Sequence, residues 1–209
     1  MRTITWLALG DSYTIGEQVL LTDSFPYQTV KLLRQAAKNG ESNTAQLEFA
    51  APEIIAKTGF TTDELSAIID QTVLLAGYDI VTLLIGVNNQ YRGRSVDEFK
   101  TEFDHLLQIA IQSAKGDPAK VFVLSIPDWV LTPFAEGKDH LKISAEIDAY
   151  NAVCRHFADL YKCNFIDITS AQRKDAANSD YLAADLLHPS GKEYTKWAAK
   201  LSKAITESF

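Results

Sequence analysis

The stretch TITWLALGDS, residues 3–12, runs from a short apolar segment directly into a glycine–aspartate–serine turn. Further apolar runs follow along the chain, at Leu47 to Ile55, Ile80 to Ile85, Val121 to Ile126 and Asn164 to Ile168. Several of them are rich in valine and isoleucine, which is typical of parallel strands buried on both faces. The sequence therefore predicts five strands, of which Thr3 to Leu9 is the first.

Segments with helical periodicity separate these runs. Helices are predicted at about Phe25 to Lys38, Thr62 to Leu75, Val96 to Ala114, His140 to Tyr161 and Ser190 to Glu207. Strands that alternate with helices indicate a parallel sheet covered by helices on both faces. The predicted fold class is therefore α/β, a three-layer α/β/α sandwich around a five-stranded parallel sheet, with residues 1–209 forming a single domain.

Capping signals mark two of the helix starts. Thr61 and Ser95 each stand three residues before a glutamate, the spacing of a capping box. Gly59 is then expected in the loop after the second strand, and Gly86 to Gly93 in the loop after the third. Open parallel sheets bind ligands beyond the carboxyl ends of their strands, so Ser12 and these two loops are expected to share one edge.

Composition excludes several classes of function. A formal net charge of -7 and a pI near 5.1, with no basic cluster, argue against nucleic-acid binding. The longest apolar run, Val81 to Val87, is too short for a transmembrane segment. The N-terminal apolar segment is too short for a signal peptide, so a cytoplasmic location is expected. No pattern indicates an oligomeric state, which stays open.

The cysteines indicate neither a disulfide nor a metal site. On one helix, nine residues would separate Cys154 and Cys163 by roughly 13 Å, too far for a disulfide, so both are expected to be core thiols. The histidines lack ligand spacing and no C-x-x-C pair occurs. We therefore expect no metal and no cofactor.

A serine nucleophile needs a base to take its proton and a third group to orient that base. His105 and His156 lie in helix patterns, and His140 lies at a helix start among charged residues. His188 differs because Asp185 precedes it by three residues and a proline follows it. A carboxylate at that distance can accept the proton of one ring nitrogen while the other nitrogen faces a nucleophile.

Acyl transfer also needs donors aimed at the oxygen that becomes negative. The backbone amides of Ser12 and Gly59 and the side-chain amide of Asn88 are candidates. Each of these residues also has an ordinary explanation, since serine, glycine and asparagine are frequent turn residues. Their joint occurrence after consecutive strands favours the catalytic interpretation, with a small-molecule ester as substrate.

The chain resembles the SGNH hydrolases, also called the GDSL family of esterases and lipases, over nearly its whole length. The resemblance is carried by four blocks, Gly10 to Glu17, Thr58 to Thr62, Gly86 to Asn89, and Asp185 to Pro189. It implies a serine esterase with a flavodoxin-like strand order. It also implies Ser12 as nucleophile, His188 as general base and acid, Asp185 as its orienting partner, and Gly59 with Asn88 as oxyanion donors.

Two positions depart from related patterns. Thr14 replaces the second glycine of the Gly-x-Ser-x-Gly elbow found in larger α/β-hydrolases. Asn89 stands where many SGNH members have aspartate, a difference expected to alter local hydrogen bonding and substrate choice. Asn89, Tyr91 and Trp129 are the predicted substrate-binding residues, while Arg92 could bind an anionic group or be solvated.

A second function remains open at this stage. Flavodoxin-like sheets also bind phosphates or flavins at the loop after the first strand, where Gly10 to Gly16 could form a cradle. The chain would then be a small-molecule or phosphate-binding module without hydrolase activity. The absence of Gly-x-x-x-x-Gly-Lys-[Ser/Thr] and Gly-x-Gly-x-x-Gly patterns argues against this alternative.

Overall fold

A five-stranded parallel sheet forms the centre of the molecule. The computed structural model describes residues 1–40 and 44–209. Their strands are β1 Arg2–Ile4, β2 Trp6–Asp11, β3 Leu47–Phe49, β4 Glu53–Lys57, β5 Ile80–Leu84, β6 Val121–Leu124 and β7 Asn164–Ile166. The order is β4-β2-β5-β6-β7, with all neighbours parallel. This is the flavodoxin-like order, which confirms the predicted fold class.

Two of the predicted strands are interrupted, so that β1 and β3 form a separate two-stranded parallel sheet. The first run breaks at Thr5, whose amide donates to the Asp79 carboxylate at 3.0 Å. The second run breaks before Pro52, which has no amide to donate. Ile4 pairs with Phe49 and Leu7 pairs with Glu53, so two residues lie between the paired positions on the first strand run and three on the second. The extra residue acts as a β-bulge.

The helices of the described residues are α1 Ser12–Ile15, α2 Phe25–Lys38, α3 Thr62–Asp70, α4 Val87–Tyr91, α5 Val96–Ser113, α6 His140–Tyr161, α7 Thr169–Asp175 and α8 Gly191–Glu207. The bounds of α2 and α6 are those predicted, and α5 and α8 each differ at one end by a single residue. The prediction for α3 was too long, because i→i+3 hydrogen bonds from Gln71 and Thr72 end the helix. The short helices α1, α4 and α7 were not among the predicted helices.

Helices cover both faces of the sheet. The pair α2 and α8 packs on one face, and α3, α5 and α6 pack on the other. Every residue of β2, β5 and β6 is buried. No helix within the described part of the chain combines the length and apolarity that a bilayer crossing requires.

The two cysteines are buried and unbonded. The two do not share a helix, because α6 ends at Tyr161 and Lys162 adopts a left-handed conformation with φ of 63°. Cys154 therefore lies in α6 and Cys163 in the turn that follows it. Burial raises the pKa of both thiols, to about 12 for Cys163.

Loops after consecutive strands meet at one edge of the sheet. Ser12 follows β2, Gly59 follows β4 and Asn88 follows β5, and these strands are neighbours. The capping box at Thr61 fixes the start of α3 just beyond Gly59. The segment before α8 folds over the same edge, where Leu182 pairs with Pro189. The fold thus gathers the predicted site residues at one place.

Candidate active site

Ser12 begins a helix of one turn at the end of β2. The Asp11 carboxylate caps this helix by accepting from the Tyr13 amide at 3.0 Å. Gly16 ends it in a left-handed conformation with φ of 76°. Ser12 is 5% exposed, so its hydroxyl lies at the floor of the cavity that it lines. A strand, a cap and a tight turn therefore hold the serine rigidly.

The Asp185–His188 segment brings a second set of groups to Ser12. The Oδ1 atom of Asp185 accepts from the amides of Leu187 and His188 at 3.0 Å each. Its Oδ2 atom lies 2.6 Å from Nδ1 of His188. The other ring nitrogen, Nε2, lies 2.9 Å from Oγ of Ser12. Serine, imidazole and carboxylate therefore form one continuous hydrogen-bonded chain.

Backbone strain helps to shape this segment. Leu186 has a φ of 59°, a left-handed conformation that a leucine adopts at a cost. The turn at Leu186 lets two consecutive amides reach the same carboxylate oxygen. Tyr13 supports the imidazole from behind, with ring centroids 5.3 Å apart.

Hydrogen bonds keep Asp185 ionised. Partial burial raises its pKa, but the His188 side chain and the two backbone amides together outweigh that effect. The net pKa of Asp185 lies below the ordinary value, so the carboxylate is charged at neutral pH. A charged partner at Nδ1 favours the tautomer in which Nε2 is free to accept a proton.

Gly59 and Asn88 lie beside Ser12 in the same cavity. Gly59 has a φ of 86°, which explains why glycine occupies this turn. The Asn88 side chain donates one N–H to the carbonyl of Phe60 at 2.9 Å. The second N–H of the same amide has no acceptor among the hydrogen bonds of the described residues, and it is available to a ligand.

The cavity has a volume of about 240 Å³. Its lining consists of Ser12, Tyr13, Thr58, Gly59, Val87, Asn88, Tyr91, Trp129, Phe134, Leu187 and His188. Sequence reasoning missed Tyr13, Thr58, Val87 and Leu187. All four are neighbours in sequence of predicted site residues, which is the signal that could have found them.

Three aromatic rings form one wall of this cavity. Tyr91 and Trp129 meet edge to face with centroids 5.1 Å apart, and Phe134 meets Trp129 at 6.3 Å. The Trp129 indole donates to Oε1 of Gln90 at 2.8 Å, which anchors the wall on α4. Tyr91 and Phe134 remain about half exposed, so the wall reaches from the buried floor to solvent.

Asn89 does not line the cavity, so the structure does not bring this predicted substrate-binding residue together with the others. Its side chain is fully buried, with Oδ1 accepting from the Thr62 amide at 3.1 Å and Nδ2 donating to the Thr62 hydroxyl at 2.6 Å. Successive residues of a helix point about 100° apart, so Asn88 faces the cavity while Asn89 faces α3. Asn89 therefore joins α4 to the start of α3.

The arginines after Asn88 are engaged with the protein. Arg92 contacts the Gly59 carbonyl and Glu64, and Arg94 pairs with Asp63 at 2.7 Å.

The glycines of the predicted phosphate cradle have packing roles. A side chain at Gly10 would collide with Thr14 and the Leu84 carbonyl, and Gly16 ends α1. Within the described ranges, no three His, Cys, Asp or Glu side chains are grouped to hold a metal ion.

Comparisons with known proteins identify the family of the chain. The sequence model of the GDSL-like Lipase/Acylhydrolase family matches residues 8–196. No curated protein matches the chain significantly.

Three solved structures illustrate the similarity in fold. A lipase/acylhydrolase from Enterococcus faecalis is 21% identical, with a TM-score of 0.72 and coverage of 99% of this chain and 96% of that one. An acetylxylan esterase from Geobacillus stearothermophilus is 19% identical, with a TM-score of 0.72 and coverage of 97% and 94%. TesA is 16% identical, with a TM-score of 0.68 and coverage of 98% and 99%. At these identities the likeness establishes the fold.

Proposed function

Because this chain belongs to the GDSL-like lipase/acylhydrolase family, we propose that it is a serine esterase that hydrolyses carboxylic esters through an acyl-Ser12 intermediate. One observation carries the proposal. Ser12 Oγ lies 2.9 Å from His188 Nε2, and the opposite ring nitrogen lies 2.6 Å from Asp185. This is the arrangement that activates a serine hydroxyl.

In the acylation step, Ser12 Oγ attacks the ester carbonyl while His188 Nε2 takes the hydroxyl proton. The imidazolium formed is stabilised by the ionised Asp185. It then donates the proton to the leaving alcohol as the ester C–O bond breaks. The products of this step are the free alcohol and an acyl ester on Ser12.

Stabilisation of the tetrahedral oxyanion falls to three donors, the amides of Ser12 and Gly59 and the free side-chain N–H of Asn88. They approach the cavity from the ends of three neighbouring strands, which keeps their relative positions fixed. Such preorganised donors need no rearrangement as charge develops, and losing one costs roughly 3 to 4 kcal/mol of transition-state stabilisation.

Deacylation repeats the sequence with water as the nucleophile. His188 accepts a proton from water, which attacks the acyl carbon, and then returns the proton to Ser12 Oγ as the acid leaves. Each proton taken up by the imidazole is given back within the cycle. The reaction therefore needs no cofactor.

The cavity favours a short acyl group. Its volume of about 240 Å³ is below the roughly 300–1,000 Å³ typical of pockets for drug-sized ligands. The wall of Tyr91, Trp129 and Phe134 is apolar and suits an acetyl to butyryl chain or an aromatic or sugar alcohol. The similar folds of an acetylxylan esterase and an acylhydrolase agree with an ester of this kind.

Hydrolysis of p-nitrophenyl acetate, butyrate and octanoate tests the proposal. We expect the native protein to cleave the short esters fastest and Ser12→Ala to lose at least about a thousandfold in kcat. Ser202→Ala on α8 serves as the matched control, and circular dichroism verifies the fold of each variant. Equal rates for native protein and Ser12→Ala would contradict the serine mechanism. Preference for octanoate would contradict only the short-chain assignment.

A further inference from the structure

Helix α4 holds the turn that contains Gly59 at two consecutive carbonyls. Asn88 Nδ2 donates to the Phe60 carbonyl at 2.9 Å, and Arg92 Nη2 donates to the Gly59 carbonyl at 2.6 Å. The two side chains are four residues apart and therefore lie on the same face of the helix end. One short helix thus contacts the turn through both an oxyanion donor and an arginine.

The turn is also restrained on either side of Gly59, because the Thr58 hydroxyl donates to the Glu17 carboxylate and Phe60 packs against the hydrophobic core. A hydrogen bond of 3.1 Å from the Phe60 amide to the Lys57 carbonyl closes it, and Gly59 has a φ of 86°. Among the described residues outside the turn, only Arg92 Nη2 lies within 4 Å of the place where a Gly59 side chain would begin. Within that part of the chain, no other side chain packs around the Gly59 Cα itself, so the contact between its carbonyl and Arg92 is a restraint on the rotation of this residue.

Arg92 is itself oriented by the start of α3. Its Nη1 atom lies 3.1 Å from Oε1 of Glu64, and the other carboxylate oxygen accepts from the Thr61 amide at 3.0 Å. Gly59, Arg92, Glu64 and Thr61 therefore form a closed ring of contacts. The ring connects the carbonyl of Gly59 to the capping box that begins α3.

We propose that Arg92 is a positioning residue for the oxyanion site. By holding the carbonyl of the Gly59–Phe60 peptide it limits rotation of the Gly59 backbone, and so restrains the preceding peptide, whose Gly59 N–H is the donor proposed to act with the Asn88 amide. This inference rests on the proposed function. The Arg92–Glu64 pair is about half exposed, and such pairs contribute little to stability. Removal of Arg92 should therefore leave the fold intact while it lets the Gly59 donor move. A donor that is misaimed by a fraction of an ångström loses part of its effect on the transition state.

The kinetic test compares Arg92→Ala with Arg94→Ala. Arg94 is a matched control because it is two residues away, carries the same charge and pairs with Asp63 on α3 instead of the turn. We expect Arg92→Ala to lower kcat on p-nitrophenyl acetate about tenfold with KM nearly unchanged, which is less than the loss of a whole donor. Binding of a boronic acid, which mimics the tetrahedral oxyanion, should weaken in parallel. Low-millimolar guanidinium should restore part of the activity of Arg92→Ala only.

Amide hydrogen exchange of residues 57–61 provides a readout that does not need activity. Faster exchange there in Arg92→Ala than in Arg94→Ala is expected. Exchange and kcat equal to those of Arg94→Ala would overturn the positioning role while leaving the esterase proposal intact. An effect of Arg92→Ala on KM alone would also overturn it, because that would indicate direct substrate binding. If the native protein and Ser12→Ala were equally inactive, the proposed function would fail. In that case, unchanged amide exchange of residues 57–61 in Arg92→Ala would separately reject the positioning role.

Discussion

Two aspartates border the candidate site, and their environments have opposite effects. Asp11 is 1% exposed at the end of β2 and accepts one hydrogen bond outside its own residue, from the Tyr13 amide. Asp185 keeps 28% of its side chain exposed and accepts from two amides and the His188 ring. Burial raises the pKa of Asp11 to about 7. At Asp185 the donors overcome burial and lower the pKa.

The difference shows how the two sides of the site are built. On the strand side, the buried Asp11 caps α1 and so positions Ser12. This capping role needs the shape and oxygen atoms of the side chain, whereas its negative charge is disfavoured by burial. On the loop side, an ionised aspartate organises a segment without regular structure and orients His188. We infer that charge matters for the loop side and shape for the strand side.

Asp185→Asn should produce the largest effect of the predictions that follow from this comparison. The new amide would donate toward Nδ1 of His188 and favour the tautomer whose Nε2 carries a proton, so Ser12 would lose its base. We expect kcat to fall about 10⁴-fold. Because the carboxylate pKa is lowered by folding, the native protein should also be more stable than the variant above about pH 4 and lose that advantage as pH falls. Asp180→Asn, which removes an exposed partner of Lys192, is the control. A loss below tenfold would contradict the orienting role of Asp185.

Asp11→Asn should act on stability with the opposite pH dependence. The pKa of about 7 in the folded protein exceeds the ordinary aspartate value of 3.8, so the native protein is expected to lose stability as pH rises from about 4 to about 7. Asparagine is an equally good helix cap and carries no titrating group. The free energy of unfolding of the variant should exceed that of the native protein by an amount that grows toward pH 8, up to the order of 4 kcal/mol.

Denaturant unfolding at several pH values measures this difference. Asp70→Asn, at the exposed end of α3, controls for the loss of one carboxylate. If the free energies of unfolding of the native protein and of Asp11→Asn differed by the same amount at every pH, burial would not be raising the pKa of Asp11.

Leu186 variants should give the smallest effect and probe the strain of the loop side. Asparagine tolerates the left-handed conformation and the leucine side chain is 43% exposed, so Leu186→Asn should be neutral or stabilising by about 0.5 kcal/mol. A β-branched residue suffers more there, and Leu186→Val should destabilise by about 1 kcal/mol. Urea midpoints at constant m-value provide the measurement. Equal midpoints for the two variants would mean that the loop relaxes its backbone freely.

The regular part of the fold could be predicted because periodicity reports burial directly. The helix from Phe25 to Lys38 and the alternation of parallel strands with helices follow from apolar spacing, whereas the strand order came from the resemblance to the SGNH hydrolases. The interruptions at Thr5 and Pro52 could not be predicted. They depend on a hydrogen bond to Asp79, distant in sequence, and on one extra residue in the partner strand.

Some residues of the candidate site could be placed from the sequence and others could not. Ser12, Gly59 and Asn88 follow strands, so topology alone brings them together. The burial of Asn89 could not be predicted, because a helix of five residues is too short to leave a periodic signal that tells which of two adjacent asparagines faces the cavity. The role assigned to Arg92 depends on a contact with Gly59, 33 positions away in sequence, which no local pattern reveals.

The acyl-Ser12 intermediate is the central claim, and trapping it tests that claim most directly. Native protein would be mixed with p-nitrophenyl acetate, quenched in acid during turnover and digested for mass spectrometry, beside Ser12→Ala and Ser202→Ala. The account predicts an acetyl group on the peptide that contains Ser12 in native protein and in Ser202→Ala, and none in Ser12→Ala. Acetylation of another residue, or undiminished hydrolysis by Ser12→Ala, would contradict it.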